Sequence, residues 1–302
     1  MSTFIEILKV ILLGVVEGIT EWLPISSTGH MILIDEFVKL NVRPEFMEVF
    51  LVVIQLGAIL AVVLLFWGRL WPFCSLELTA AEKKKLARKP AAEKVFWTFV
   101  LRFCNIEKWI LWLKIFIACI PTILIGFPLN DWIEEKFNNY FVVAVTLIVY
   151  GILFIVIENV NQGRKMRIRK MNQMDYLTAF GIGWFQVLAL IPGTSRSGAT
   201  ILGGMLLGAS RTVAAEFTFY LAIPTMFGAS LLKLIKFGFS FTAWEVLLLL
   251  IGMLVAFIVS IFAIKFLLGY IRKKDFKAFG WYRIGLGILV LVYFVFKRYW
   301  AG

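Results

Sequence analysis

The chain has 302 residues, 61% of them hydrophobic, and its mean hydropathy is +0.89. This composition excludes an ordinary soluble domain and indicates an all-α integral membrane protein. The net charge of +12 is concentrated between the apolar stretches, so it reports orientation in a phospholipid bilayer and indicates no nucleic-acid partner. The first residues lack a basic region and a small-residue cleavage site, so we expect no removable signal peptide.

The first apolar segment, residues 4–23, runs into Pro24, and the acidic pair Asp35-Glu36 follows too soon for a second bilayer crossing. We therefore predict a re-entrant helical hairpin over residues 4–37, in which a helix breaks at the proline and a half-helix returns. Broken backbone is tolerated at membrane depth only where protein or a water-filled cavity covers it.

Six other apolar stretches are candidates to cross about 30 Å of hydrocarbon. They are residues 49–67, 109–129, 140–157, 214–235, 246–268 and, as a shorter candidate, 284–296. Between the third and the fourth, residues 176–191 run into Pro192, and the polar pair Ser210-Arg211 follows. This region predicts a second re-entrant hairpin, over residues 176–209.

The charges of the connections predict the topology. Basic residues concentrate at 69–108, 158–175 and 269–283, which we expect to be cytoplasmic, whereas 130–139 and 236–245 fit the outer side. Both termini then lie outside, and the two hairpins enter from opposite faces. The prediction is one polytopic membrane domain, 1–302, with six transmembrane helices and two re-entrant hairpins in an inverted-topology repeat. Repeat one covers about 1–157, and repeat two about 168–302.

The two proline motifs match at a spacing of 168 positions. At this spacing Pro24 aligns with Pro192, Ser26 with Thr194, and Ser27 with Ser195. A weaker match, Gly14-x-x-Glu17 with Gly183-x-x-Gln186, requires a shift of one residue.

Each half-helix after a proline begins with hydroxyl residues, which cap a helix N-terminus and leave N–H groups at a positive dipole end. Two such ends facing each other predict an anion pocket. Arg196 adds a permanently charged, planar donor group that suits a phosphoryl group, and it lies too deep in its segment to reach the interface. The candidate phosphate-binding residues are Ser26, Thr28, Thr194, Ser195, Ser197 and Gly198.

Glu17 and Glu21 are four residues apart and therefore share one helix face. Two close carboxylates cannot both stay charged in an apolar environment without help. Either one is protonated and acts as a general acid or base, or a divalent cation, Mg²⁺ or Ca²⁺, binds both. The sequence leaves both alternatives open.

His30 is the only histidine, and it follows Ser27 by three residues on the same half-helix, so a hydroxyl–imidazole contact is expected. With the glutamates nearby, this is the pattern of a nucleophile, a base and an orienting acid. Our hypothesis is that Ser27 attacks phosphorus while Glu21 and His30 handle the proton. In the alternative, His30 is the nucleophile or Ser27 only binds phosphate.

These motifs, together with Ile54-Gln-Leu-Gly-Ala-Ile-Leu-Ala61 and Leu188-Ala-Leu-Ile-Pro-Gly-Thr-Ser-Arg-Ser-Gly-Ala-Thr200, resemble the undecaprenyl-diphosphate phosphatase family, the bacitracin-resistance proteins. The resemblance implies hydrolysis of the lipid diphosphate near the outer face of the bacterial cytoplasmic membrane, assisted by Mg²⁺ or Ca²⁺. It also implies a catalytic set, which comprises Glu17, Glu21, Ser27, His30 and Arg196.

The expected partners are a polyprenyl diphosphate lipid and the bilayer, and a homodimer is compatible with the sequence. The alternative function is a flippase for a polyprenyl phosphate, because transporters also use inverted repeats and broken helices around an anion site. The combination of serine, histidine and paired glutamates favours an enzyme.

Overall fold

The computed structural model describes residues 2–73, 105–238 and 240–300, with isolated positions at 84, 87, 90, 93–95 and 98. Most of the predicted basic connection 69–108 therefore lies outside the described residues. The helices, in chain order, are α1 (Ser2–Thr20), α2 (Ser27–Phe37), α3 (Pro44–Leu70), α4 (Ile106–Phe137), α5 (Tyr140–Val160), α6 (Tyr176–Leu188), α7 (Arg196–Leu206), α8 (Arg211–Phe237), α9 (Ala243–Ile271) and α10 (Lys277–Trp300).

Six of these helices, α3, α4, α5, α8, α9 and α10, are long and apolar enough to cross a membrane. Each contains one of the six predicted spans, so the all-α membrane class is confirmed. Four of them start at a side chain that accepts a hydrogen bond from a first-turn N–H and so satisfies an otherwise free donor. The capping side chains of α4, α5, α8 and α9 are Asn105, Asn139, Ser210 and Thr242.

The two proline segments form a helix, a break and a second helix: α1 and α2 flank residues 21–26, and α6 and α7 flank residues 189–195. Ser26 and Ser195 enter the second helix at φ of 74° and 70°, and they are the only non-glycine residues with positive φ in the described chain. Each hydroxyl accepts the N–H three residues on, from Gly29 or Gly198. A left-handed serine is uncommon, so its recurrence indicates that both breaks are built alike.

The structure corrects the register of the repeat by one residue. Its matching caps are Ser26 and Ser195, whereas the proline alignment pairs Ser26 with Thr194. The reason is that the proline stands two residues before the capping serine in the first break and three residues before it in the second. Ser27 therefore corresponds to Arg196, in the register that also pairs Gly14 with Gly183.

Helix packing follows the same correspondence between α1–α5 and α6–α10. α1 packs on α9 and its counterpart α6 on α4, while α5 packs on α10 and α3 on α8. Glycines allow the close contacts of α1 with α9 and of α6 with α4. A Cβ at Gly14 would lie 2.9 Å from the carbonyl oxygen of Gly252, and one at Gly183 would lie 2.2 Å from that of Ala118. Such reciprocal contacts between the two halves are typical of a two-fold pseudo-symmetry. The inverted topology, and the membrane face from which each break is entered, stay predictions.

Candidate active site

The two breaks lie against each other and form one cluster, as the paired motifs predict. Arg196 Nη2 donates to Glu21 Oε1 at 2.8 Å, and only 14% and 9% of these side chains are exposed. Ser197 Oγ donates to the carbonyl oxygen of Leu23 at 3.3 Å. An acid from the first break and a cation from the second therefore share one site.

Arg196 is the first residue of α7 and is held on several sides. Besides its ion pair with Glu21, its Nη1 donates to the carbonyl oxygen of Thr218 at 3.2 Å. The guanidinium also lies over the ring of Trp22, 5.9 Å from the centroid, where the ring face attracts a cation. Its Nε is buried and has no hydrogen-bond partner among the described residues.

Glu21 links the guanidinium to the candidate nucleophile. Ser27 Oγ donates to Glu21 Oε2 at 3.3 Å, while the other carboxylate oxygen accepts from Arg196. Ser27 begins α2 and is partly exposed. Glu21 therefore contacts both the hydroxyl of Ser27 and the guanidinium of Arg196.

Glu17 lies beside Glu21 and Gln55 and is only 2% exposed. Its Oε1 is buried without a hydrogen-bond partner in the described part of the chain. A buried carboxylate oxygen left unsatisfied is costly, which makes this atom a candidate ligand for a cation.

His30 has other partners than the predicted Ser27. Its Nδ1 is 2.7 Å from the carbonyl oxygen of Ser26 and its Nε2 is 2.7 Å from the hydroxyl of Tyr282. A carbonyl only accepts, so Nδ1 carries the proton and Nε2 accepts from the tyrosine. The expected Ser27–His30 hydrogen bond is not found among the described residues, because both ring nitrogens are engaged elsewhere.

The remaining candidate phosphate ligands differ in their contacts and in their exposure. The Ser26 and Ser195 hydroxyls cap α2 and α7, so they fix the N-termini that face a ligand. Ser197 and Thr194 are buried, and Thr194 Oγ1 has no hydrogen-bond partner in the described chain. Thr28 is partly exposed beside Ser27.

Arg283 is a member of the cluster that the sequence analysis missed. It is fully buried on α10 and donates to carbonyl oxygens of both breaks: Pro24 at 3.2 Å, Gly193 at 3.0 Å and Thr194 at 2.9 Å. The available signal was an arginine bordering the shortest apolar stretch, 284–296. The charge pattern instead places residues 269–283 in a basic connection.

The model of the family "Bacitracin resistance protein BacA" matches residues 10–289, a range that includes both breaks and Arg283. The chain belongs to the BacA family. It is 60% identical over 291 residues to an undecaprenyl-diphosphatase of Desulfitobacterium hafniense, covering 96% of each chain. An undecaprenyl-diphosphatase of Enterococcus faecalis is 55% identical over 289 residues, covering 96% of this chain and 97% of its own.

In this BacA-family chain, the donor set fits a cation that depends on the substrate for part of its coordination. The described residues contain no group of three or more histidine, cysteine or acidic side chains that could hold a metal alone. The unpartnered Glu17 Oε1, with Glu21 adjacent, suits Mg²⁺ or Ca²⁺, since Mg²⁺ is commonly bound through one or two carboxylates and substrate phosphates.

Proposed function

We propose that this protein hydrolyses undecaprenyl diphosphate to undecaprenyl phosphate and inorganic phosphate, which returns the lipid carrier to cell-wall synthesis and confers bacitracin resistance. Membership of the BacA family and the names of the relatives support this substrate. The observation that carries the chemistry is the chain of contacts from Ser27 through Glu21 to Arg196, which places a hydroxyl, an acid and a guanidinium in one cluster.

In the proposed first step, Ser27 Oγ attacks the terminal phosphorus while Glu21 takes the hydroxyl proton. The bond from that phosphorus to the bridging oxygen breaks, and the lipid monophosphate leaves as an anion. Arg196 then stabilises the charge on the transferred oxygens, together with the free N–H groups that begin α2 and α7. In the second step, water attacks the serine-bound phosphorus and the bond from that phosphorus to Ser27 Oγ breaks. Glu21 returns its proton to the serine oxygen, which restores Ser27, and inorganic phosphate leaves with both protons of the water.

The positions of the side chains support Ser27 over His30 as the nucleophile. The lone pair of His30 Nε2 accepts a hydrogen bond from Tyr282, and its Nδ1 proton is donated to Ser26. His30 thus supports the turn that presents Ser27, whereas the serine hydroxyl donates to Glu21.

We propose that Glu17 and Glu21 would hold Mg²⁺ or Ca²⁺, which when bound would neutralise charge on the diphosphate. A site open to the cell exterior is what the resemblance to the BacA family implies. An impermeant thiol reagent applied to intact cells that carry Thr28→Cys tests this orientation, since labelling from outside is expected and labelling only after permeabilisation would contradict it.

The test of the proposed activity is phosphate release from polyprenyl diphosphate by the purified protein in detergent, where there is no membrane for a flippase to act across. We expect turnover, and a loss of about 10²–10⁴-fold on Ser27→Ala, because the nucleophile and its proton path are removed. Ser240→Ala, at an exposed serine of a connection, is the matched control. No release in detergent, with lipid movement in vesicles, would favour the flippase.

A further inference from the structure

The guanidinium of Arg283 joins the two breaks through backbone alone. Its Nη1 donates to Pro24 in the first break, and its Nη2 donates to Gly193 and Thr194 in the second. Nε reaches the carbonyl oxygen of Leu147 on α5 at 3.5 Å. One side chain therefore contacts both breaks and a transmembrane helix that packs beside them.

The surroundings of Arg283 supply a partner for most of its guanidinium donors. The residue is 0% exposed, and within the described chain no carboxylate forms a salt bridge with it. A buried cation is costly unless its donors are satisfied, and here carbonyl oxygens satisfy four of them. The ring of Tyr150 lies 5.6 Å from the charge, and a Cβ at Gly198 would lie 3.1 Å from Nη1.

Two of the carbonyls that accept from Arg283 lie shortly before Ser27 and Arg196 in the chain. Pro24 lies three residues before Ser27, and Thr194 lies two residues before Arg196. The guanidinium therefore sets the distance between the segment that presents the nucleophile and the segment that presents the phosphate-binding cation. A displacement of about 1 Å between reacting groups can cost about 10²-fold in rate.

We propose that Arg283 is a positioning residue for phosphoryl transfer. It fixes the two breaks relative to each other so that Ser27 and Arg196 can both contact the same phosphate. This inference rests on the proposed function, because it assumes that Ser27 and Arg196 act on one substrate. Lysine would keep the charge, but its three N–H donors share one nitrogen, whereas Arg283 reaches its carbonyl partners from three separate nitrogens.

The first experiment compares Arg283→Lys with Arg69→Lys, the same substitution at an arginine that binds Glu216 away from the site. For Arg283→Lys we expect kcat to fall about 10²-fold with KM changed little, because the geometry of the reacting groups is lost. The melting temperature in detergent should match that of the Arg69→Lys control. Activity equal to that control would overturn the proposal.

The second experiment separates positioning from a general structural role. If Arg283 acts by placing Arg196, the two lysine substitutions should not be independent, and adding Arg283→Lys to Arg196→Lys should cost less than about tenfold. Losses that multiply would overturn the proposal. Full activity of Arg196→Lys alone would instead contradict the proposed function, so the two failures are distinguishable.

A third variant keeps the proposal testable if Arg283→Lys does not fold. Gly198→Ala places a methyl group against Nη1 and leaves the guanidinium present. We expect about a tenfold loss of kcat, again not multiplying with that of Arg196→Lys. Wild-type kcat in a folded Gly198→Ala protein would overturn the proposal.

Discussion

The two breaks share a backbone design and differ in their chemistry. Both enter the following helix through a left-handed serine that caps it, and both are held by Arg283. In the structural register, however, Ser27 corresponds to Arg196, Glu17 to Gln186 and His30 to Ala199. In the proposed mechanism, the first proline segment therefore supplies the groups that attack and move the proton, and the second supplies the fixed charge.

This comparison indicates how one duplicated element can serve hydrolysis. Two helix N-termini supply a symmetric cradle for an anion. Catalysis needs an asymmetric site, with a nucleophile on one side of the phosphorus and charge stabilisation around it. The difference between the breaks supplies that asymmetry while the shared serine caps preserve the cradle.

Glu21→Gln should have the largest effect, because it removes both the proton acceptor for Ser27 and the ion pair that joins the breaks. We expect phosphate release to fall about 10³-fold or more. Glu48→Gln, at an exposed glutamate paired with Lys233, is the control. A loss below tenfold would mean that another group takes the proton.

Arg196→Lys should rank next, since lysine keeps the charge but loses the planar donor pair. We expect kcat/KM to fall about 10²-fold. Arg43→Lys, at an arginine bonded to Glu245, is the matched control. If Arg196→Lys and that control behaved alike, the second break would have no part in charge stabilisation.

Glu17→Gln makes the first proline segment resemble the second, where Gln186 occupies the equivalent position. If Glu17 holds the cation, the concentration of Mg²⁺ required for half-maximal activity should rise about tenfold or more, while Ser27 and Glu21 remain in place. The measurement is a Mg²⁺ titration of phosphate release after treatment with a chelator. An unchanged titration midpoint would remove Glu17 from the cation site.

Tyr282→Phe should have the smallest effect. It removes the hydroxyl that donates to His30 Nε2 but keeps the ring that stacks on the imidazole. Because His30 supports the turn and does not attack in our mechanism, we expect a loss of kcat below about tenfold. A loss as large as that of Ser27→Ala would indicate that His30 carries the chemistry. Tyr299→Phe, at an exposed tyrosine, is the control.

Hydropathy and proline were sufficient to predict the six spans, the two breaks and the meeting of their motifs. They could not predict that Arg283 belongs to the buried cluster, because a single charge at the border of an apolar stretch is interpreted as the end of a loop. The partner of His30 was equally inaccessible, since Tyr282 lies 252 residues away and reaches it only through packing of α10 near α2. The repeat register was wrong by one because proline anchored the alignment, whereas the serine cap defines the structure.

Trapping the phosphorylated protein tests the central claim most directly. The protein is mixed with polyprenyl diphosphate, quenched during turnover in acid or in alkali, and mapped by mass spectrometry; phosphoserine survives acid, whereas phosphohistidine survives alkali. We predict a phosphoryl group on Ser27 that is absent from Ser27→Ala. A phosphoryl group on His30, or full turnover by Ser27→Ala, would contradict the account.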